Sequence, residues 1–477
     1  MARYTYIACS LLLLTSCAIG PEYSRPATNI SKTSNFINDV QTEGDVYPIS
    51  HWWERIDDPL LKSYIENLLQ GNLDLQQASE RVIQAHERVN IQRGGLFPSL
   101  GAGADASRSF SSLSSNNRIY TTSYGTDLST SWQVDLFGKI RRSVESASAG
   151  YEASLFDQQA LTHALIAELL NRRIAIAVYG NRLELARQNV KNRKETYDLV
   201  KNRYDLGVQG TSAADVYLAE ENYTSVQADV HEFERLLADQ IYSFDVLLGQ
   251  MPGTTTPLAS DFPLLPPPLD VPLCMPADLL DRRPDLRASE LRLAAATADI
   301  GIAVADLYPS LTLGAGIGFS GGGTGNLFTA DQLAGNILAS ITGRLFEGGS
   351  LRANIRLQES EAREQAAAYA ENVLNAVREV ESALKAEQEL AGQLKSIQSS
   401  VAALRQAEKL SQDRYLKGIL SLQNYLDTQQ RRYSLEQNLL IRQQEKWNAR
   451  ISLYLALGGD WFNESGTISC DHEGSAQ

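Results

Sequence analysis

The chain has 477 residues, with 43 Lys and Arg against 57 Asp and Glu and a net charge of −14 at neutral pH. A hydrophobic share of 43% with 21% charged residues excludes global disorder, and the acidic balance leaves little to neutralise the phosphates of a nucleic acid. Four Cys and five scattered His are too few for a disulfide scaffold or a metal site, and beyond the N-terminus no apolar run is long enough for a membrane helix.

Residues 1–16 carry Arg3, a short apolar core from Ile7 to Leu14, and then Thr15-Ser16 before Cys17. This is the pattern of a secretory signal, too short to span a bilayer. A Cys behind two small residues resembles the bacterial lipobox, which implies cleavage before Cys17 and lipidation of its thiol. An ordinary signal with an incidental Cys is the competing reading. Ala18, in place of Asp, resembles lipoproteins sorted to the outer membrane. Several acyl chains, at about 0.8 kcal/mol per buried methylene, would make a durable anchor. With Cys9 removed and Cys17 acylated, Cys274 and Cys470 are left. In an oxidising periplasm a disulfide between them would pin the tail to the centre of the chain; two free thiols are the alternative.

The chain then repeats itself. Leu96-Phe97-Pro98-Ser99-Leu100 returns as Leu307-Tyr308-Pro309-Ser310-Leu311, and Arg203-Tyr204 with Gly207-Val208 returns as Arg414-Tyr415 with Gly418-Ile419, each 211 residues later. Asp74-Leu75 and Asp285-Leu286 keep the same offset, and an ordered series at constant spacing is a duplication. After a lipidated extended segment (17–58), the first repeat covers 59–249 and the second 277–458. The Pro-rich stretch 250–276 is an extended linker, and 459–477 is a tail.

Both repeats share one internal order. Helical segments over 59–93 and 277–306 end at Pro98 and Pro309. Two-residue alternation follows, most clearly over 120–136, where Tyr124, Leu128, Trp132 and Val134 alternate with Gly125, Ser129, Ser131 and Gln133. Strands are expected over 99–112, 120–137, 309–320 and 332–346, each with one apolar and one wet face. A half-buried soluble sheet shows the same alternation. Ser/Asn-rich 111–119 and Gly-rich 320–331 are expected to be polar loops that close each strand pair into a hairpin.

Long helices are expected next, over 139–206 and 350–417, since neither stretch contains Pro. At 1.5 Å per residue each would be about 100 Å long. Val373, Val377, Val380, Leu384, Ala391, Leu394, Val401 and Leu404 keep a heptad-like spacing, the seam of a coiled coil. Beyond the turns at Gly207 and Gly418, second helices return over 212–248 and 421–457.

The fold class is therefore mixed α+β and duplicated in tandem. Four amphipathic strands cannot close a barrel, and open edges are not tolerated in lipid. Three chains would supply twelve strands, enough to enclose an aqueous lumen, and would set the helical hairpins in a ring as a coiled-coil barrel with a small equatorial domain.

Several motifs then point to one family. Cys17-Ala18-Ile19-Gly20-Pro21-Glu22-Tyr23 with Arg25-Pro26, and Trp52-Trp53 with Asp58-Pro59-Leu60, resemble TolC-like outer membrane factors of the NodT lipoprotein branch. So does Arg282-Arg283-Pro284-Asp285-Leu286 through Ala298-Asp299-Ile300-Gly301 to Tyr308-Pro309-Ser310. The resemblance covers essentially the whole mature chain. It implies the passive outlet duct of a tripartite efflux pump: a homotrimer in the outer membrane, its helical barrel in the periplasm. A periplasmic adaptor and an inner-membrane transporter of the resistance-nodulation-division type would be its partners.

The resemblance also implies where the duct works. Tyr415 through Asp427 resembles the family's hairpin tip, with Asp427 matching an aspartate of the pore constriction and Asn424 standing where another aspartate can occur. Tyr415 is expected to hydrogen-bond across to the first-repeat hairpin, and Asp215 is a candidate gate partner. Independently of the family, three copies of Asp427 around one axis would attract cations; a solvated helix residue is the bland reading. Gly207-Val208 and Gly418-Ile419 are the natural docking surface for an adaptor's helical hairpin, or merely end their helices.

Gly318-Phe319-Ser320-Gly321-Gly322 fits a nucleophile elbow by pattern, but no helix follows it, so no enzyme is expected. No cofactor is expected beyond the lipid on Cys17. With no Walker motif, energy must come from a partner. A protein-secretion outlet and a non-pore trimeric coiled-coil scaffold are the alternatives.

Overall fold

A helix interrupted at a single residue opens each repeat. The structure, a computed structural model, describes residues 18–26, 36–37, 56, 58–114, 117–254, 263–264, 266 and 279–459. The first repeat runs α1 (Leu61–Gly71), α2 (Leu73–Gly94), β1 (Ser99–Ser114), β2 (Asn117–Val134), α3 (Lys139–Asp205) and α4 (Ala213–Leu247). The second runs α5 (Leu279–Arg282), α6 (Pro284–Ala305), β3 (Ser310–Gly321), β4 (Leu333–Thr342), α7 (Ser350–Leu416) and α8 (Leu422–Ala456). Both long helices have 67 residues and both returning helices 35, so the duplication is kept to the residue.

The sequence reads 59–93 and 277–306 as continuous helical patterns, whereas the structure breaks them at Asn72 and Arg283, 211 residues apart. Asn72 turns to an extended conformation, and its Oδ1 accepts the backbone N–H groups of Asp74 and Leu75 at 2.9 and 3.0 Å, restarting the helix as a cap. Its Nδ2 donates to the Leu247 carbonyl at 2.8 Å, at the end of α4. In the second repeat Pro284 starts α6, and the Arg283 guanidinium donates to the Ala456 carbonyl at 3.2 Å, at the end of α8. Two different side chains thus make one duplicated contact. Glycines fit beside it. Gly249 has φ +72°, and a Cβ there would lie 2.0 Å from the Gly71 carbonyl oxygen; Gly458 has φ +70° and lies against Arg282.

The strands form one antiparallel sheet in the order β1-β2-β3-β4, so the repeats are joined by β2 pairing with β3, with Leu128 opposite Ile317 and Trp132 opposite Leu313. One face carries Leu100, Phe110, Tyr120, Leu128, Leu313, Ile317, Ile337 and Ile341, all exposed, with Ile337 at 92%. A half-buried soluble sheet would cover that face; here it is bare. The opposite face is Ser-, Gly- and Asp-rich. Asp105 and Asp127 lie on it over Gly125 and Gly103 of the neighbouring strand, where a Cβ would meet a carboxylate oxygen. The Ser/Asn-rich segment is not the long loop its composition suggests. β1 continues to Ser114 and β2 begins at Asn117, because ladder hydrogen bonds use the backbone whatever the side chains are. β4 in turn stops at Thr342, leaving Leu345 and Phe346 outside the ladder.

The chain forms two compact units. One gathers Ser79–Phe156 and Leu286–Asn372 with residues 18–26. In it the N-terminal residues form a strap. Gly20 lies against Gly301, and the Ile19 N–H donates to the Phe137 carbonyl at 3.3 Å. The Arg25 guanidinium donates twice to Glu290, at 3.0 and 2.6 Å, and the Tyr23 hydroxyl donates to the same carboxylate, which together with burial raises the Tyr23 pKa.

The other unit holds 58–78, 157–285 and 373–459 among the described residues. Its α7 seam buries Val373, Ala376, Val380, Ala383, Leu384, Leu394 and Val401, while Ala391 is exposed and Val377 and Leu404 are half-buried. Glu387 takes a buried position in the same stripe, held by Lys446 at 2.6 Å and Arg450 at 2.5 Å. Asp58 and Arg173 form a second buried ion pair at 2.9 Å.

Two outcomes are expected. Gly249→Ala should destabilise the protein by more than about 1 kcal/mol, whereas Gly150→Ala, in open space inside α3, should stabilise it by about 0.5–1 kcal/mol. Thermal unfolding of the two variants checks the opposite signs. Burial also holds the His163 imidazole's pKa down to about 4, against the opposing charge of Asp285. The unfolded chain then binds the proton first, so stability is full above about pH 6.5 and drains away as pH falls towards 4. His163→Gln should flatten that part of a pH–stability curve; an unchanged slope would exclude His163 as its source.

Candidate functional site: the hairpin tips

The site is built where each long helix turns back. α3 and α7 both end in a left-handed glycine, Gly207 at φ +64° and Gly418 at φ +70°. The Val208 N–H donates to the Arg203 carbonyl and the Gly207 N–H to that of Tyr204, both at 2.9 Å. Ile419 with Arg414, and Gly418 with Tyr415, repeat the pattern at the same distance. These paired bonds are Schellman closures that satisfy the last carbonyls of each helix and place Val208 and Ile419 outside it, both exposed, as is Leu206 in the first turn.

The returning helices are capped in parallel. The Ser212 hydroxyl accepts the Asp215 N–H at 3.3 Å, and the Asp215 carboxylate accepts the Ser212 N–H at 2.8 Å, a reciprocal capping box. In the second hairpin Ser421 accepts the Asn424 N–H at 3.4 Å, so Asn424 takes the place in the cap that Asp215 takes in the first.

Between the tips lies a small core of Val200, Ala219, Tyr415, Leu422, Tyr425 and Leu426. Tyr415 and Tyr425 stack at 5.6 Å with their planes 13° apart. Arg203 comes across from the first hairpin, its guanidinium 5.3 Å from the Tyr415 ring centre and its Nη1 3.5 Å from the Tyr415 carbonyl oxygen. Burial raises the Tyr415 pKa; the Arg203 charge opposes that and Asp215 reinforces it. The bond between the hairpins at Tyr415 thus runs from Arg203 to a backbone oxygen. Arg203 and Tyr425 were not singled out from the sequence, although the duplicated Arg203-Tyr204 and Arg414-Tyr415 pairs were its visible trace.

Asp427 is exposed on α8, one helical turn beyond Asn424, on a shallow recess shared with Leu404, Gln430, Arg431 and Leu435. Further from the turns a polar ladder ties the helices together. Arg193, buried, donates to Asn222 at 2.9 Å and to Gln430 at 3.0 Å, and Arg432 pairs with Glu408 and Glu436. Cys17, Cys274 and Cys470 lie outside the described residues. Among the described residues no three His, Cys, Asp or Glu side chains are grouped to hold a metal ion.

A bare apolar sheet face, two polar helical hairpins and a duplicated chain are a combination with known relatives. The outer membrane efflux protein profile matches twice, over residues 64–250 and 275–459. The chain belongs to the outer membrane efflux protein family. It is 32% identical over 455 residues to Nodulation protein T of Rhizobium leguminosarum bv. trifolii, covering 93% of this chain and 94% of that one. It is 29% identical over 468 residues to the toluene efflux pump outer membrane protein TtgC of Pseudomonas putida, covering 96% of each. The solved outer-membrane channel OprN superposes with a TM-score of 0.82 at 30% identity, over 93% of this chain and 100% of that one. An outer membrane efflux protein is a channel, and the TolC-like fold expected from the motifs is the fold of this chain.

In this efflux protein Ser212 and Asp215 act as one cap. Ser212→Ala should cost about 0.5–2 kcal/mol, and adding Asp215→Ala should cost little more, because the two side chains share the same bonds. Amide exchange at the start of α4 checks this; fully additive losses would refute the shared box.

Proposed function

We propose that this protein is the passive exit duct of a tripartite efflux pump. It works as a homotrimer whose four strands per chain close a twelve-stranded barrel in the outer membrane. The supporting observation is the sheet itself. Its apolar face is bare, and its order leaves β1 and β4 as outer edges with a row of unpaired backbone groups each. In lipid such edges are satisfied only by closure, here by β1 of one copy against β4 of the next. Relatives that serve in antibiotic and toluene efflux favour a small-molecule cargo over a secreted protein.

Cys17, in this reading, is lipidated and fixes the start of the strap to the inner leaflet, and Cys274 and Cys470 form a disulfide. The tips, with exposed Leu206, Val208 and Ile419 around Gly207 and Gly418, receive the helical hairpin of a periplasmic adaptor, which couples the duct to an inner-membrane transporter of the resistance-nodulation-division type. Asp427 and Asn424 face the constriction. Tyr415 holds the second hairpin to the first through Arg203, and Asp215 acts on that contact through its charge.

Reconstitution in planar bilayers tests this reading. The purified protein should have the mass of three chains and form cation-preferring channels, and Asp427→Ala should weaken the preference for cations. A monomer without conductance would refute the duct. A conducting Asp427→Ala variant with unaltered selectivity would remove Asp427 from the constriction.

A further inference from the structure

The sheet sorts its charges by face. On the bare apolar parity, the positions from Leu100 to Ala106 and their partners on β2, β3 and β4 carry none. The first charge on that parity is Arg108, opposite Thr122. It is cationic and lies towards the β1–β2 turn, while the carboxylates of Asp105 and Asp127 lie on the other parity. Arg108 is exposed, its guanidinium 5.0 Å from the centre of the Tyr120 ring, and Phe110 flanks that ring at 6.2 Å. Among the described residues no carboxylate pairs with it.

Position decides what this cation can meet. Leu100 to Arg108 is eight residues of strand, which at about 3.4 Å each and a tilt of about 40° rise roughly 20 Å along the membrane normal. The apolar band of such barrels is about 25 Å tall and ends in aromatic girdles. Arg108 with Tyr120 and Phe110 therefore stands where hydrocarbon gives way to headgroups, on the side away from the helices. A guanidinium forks onto phosphate oxygens, and an aromatic ring under it holds it at the interface.

We propose that Arg108, seated on Tyr120, binds the phosphate of an anionic lipid headgroup in the outer leaflet. This rests on the reading of the sheet as a membrane-spanning barrel. Three such seats would ring the trimer.

The full-length protein, extracted in mild detergent and stripped of lipid, is offered diphosphorylated lipid A or the same glycolipid without phosphates, and lipid retained is counted by native mass spectrometry. Wild type should keep the phosphorylated lipid and release the other. Arg108→Gln should lose retention several-fold, with Arg108→Lys between them. Equal retention by Arg108→Gln, equal retention of the phosphate-free glycolipid, or displacement by inorganic phosphate alone would overturn the seat. If Arg108→Gln fails to insert, Tyr120→Leu reads the same seat from the aromatic side and should also lose several-fold; unchanged retention there would overturn it. Bilayer conductance separates the two readings. A conducting Arg108→Gln channel with undiminished lipid retention sinks the headgroup seat alone, whereas a wild-type protein without conductance sinks the duct.

Discussion

The pairing of β2 with β3 is the interaction on which the rest of the structure depends. It joins the two repeats into one four-stranded sheet and in doing so moves both unsatisfied edges to the outside, β1 on one flank and β4 on the other. Had each hairpin stayed separate, every copy would present four edges. With the repeats fused it presents two of opposite kind, and a ring of copies can consume them all. The bare apolar face follows from the same constraint. A sheet that closed on its neighbours, as proposed, would need no second layer within its own chain, and the exposed Ile337 would then face lipid.

Duplication explains how the helical half is held with few special residues. All four long and returning helices end in a glycine with positive φ, and at each the following N–H reaches back five residues. The two ends away from the tips are locked by a donor from the opening helix, Asn72 in one repeat and Arg283 in the other. The chemistry at these positions has diverged while the contact has not, as expected when selection acts on where a carbonyl must be satisfied. At the tips the divergence is larger. Asp215 closes a capping box in which Asn424 holds only half, and Arg203 packs on Tyr415 across the two hairpins.

Charge is distributed with the same economy. Carboxylates on the wet face of the sheet lie over glycines, so they line a surface without projecting far from it, and on the apolar face Arg108 lies over the Tyr120 ring. In the helical unit, buried Glu387 and Asp58 are each met by an arginine, because an unpaired charge there would cost several kcal/mol.

The sequence by itself determined the duplication, the alternation of the strands and the extent of the long helices. These features are local or periodic: period two and period 3.6 are set by backbone geometry, Pro and Gly mark where each ends, and a repeat offset survives any folding. The motifs running from Cys17 to Tyr23 and from Arg282 to Ser310 also carried the family. Only tertiary structure decided that the 59–93 and 277–306 segments break at Asn72 and Arg283. The signal for a break is a carbonyl supplied by α4 or α8, far away in sequence. It also decided that Ser111, Ser112 and Ser114 belong to a strand, since a neighbouring backbone and not their own propensity fixes them. Arg203 and Tyr425 escaped the sequence reading for the same reason, being ordinary helix residues until two hairpins bring them together. A helix face shows which side is wet; what stands opposite is a property of the assembled chain.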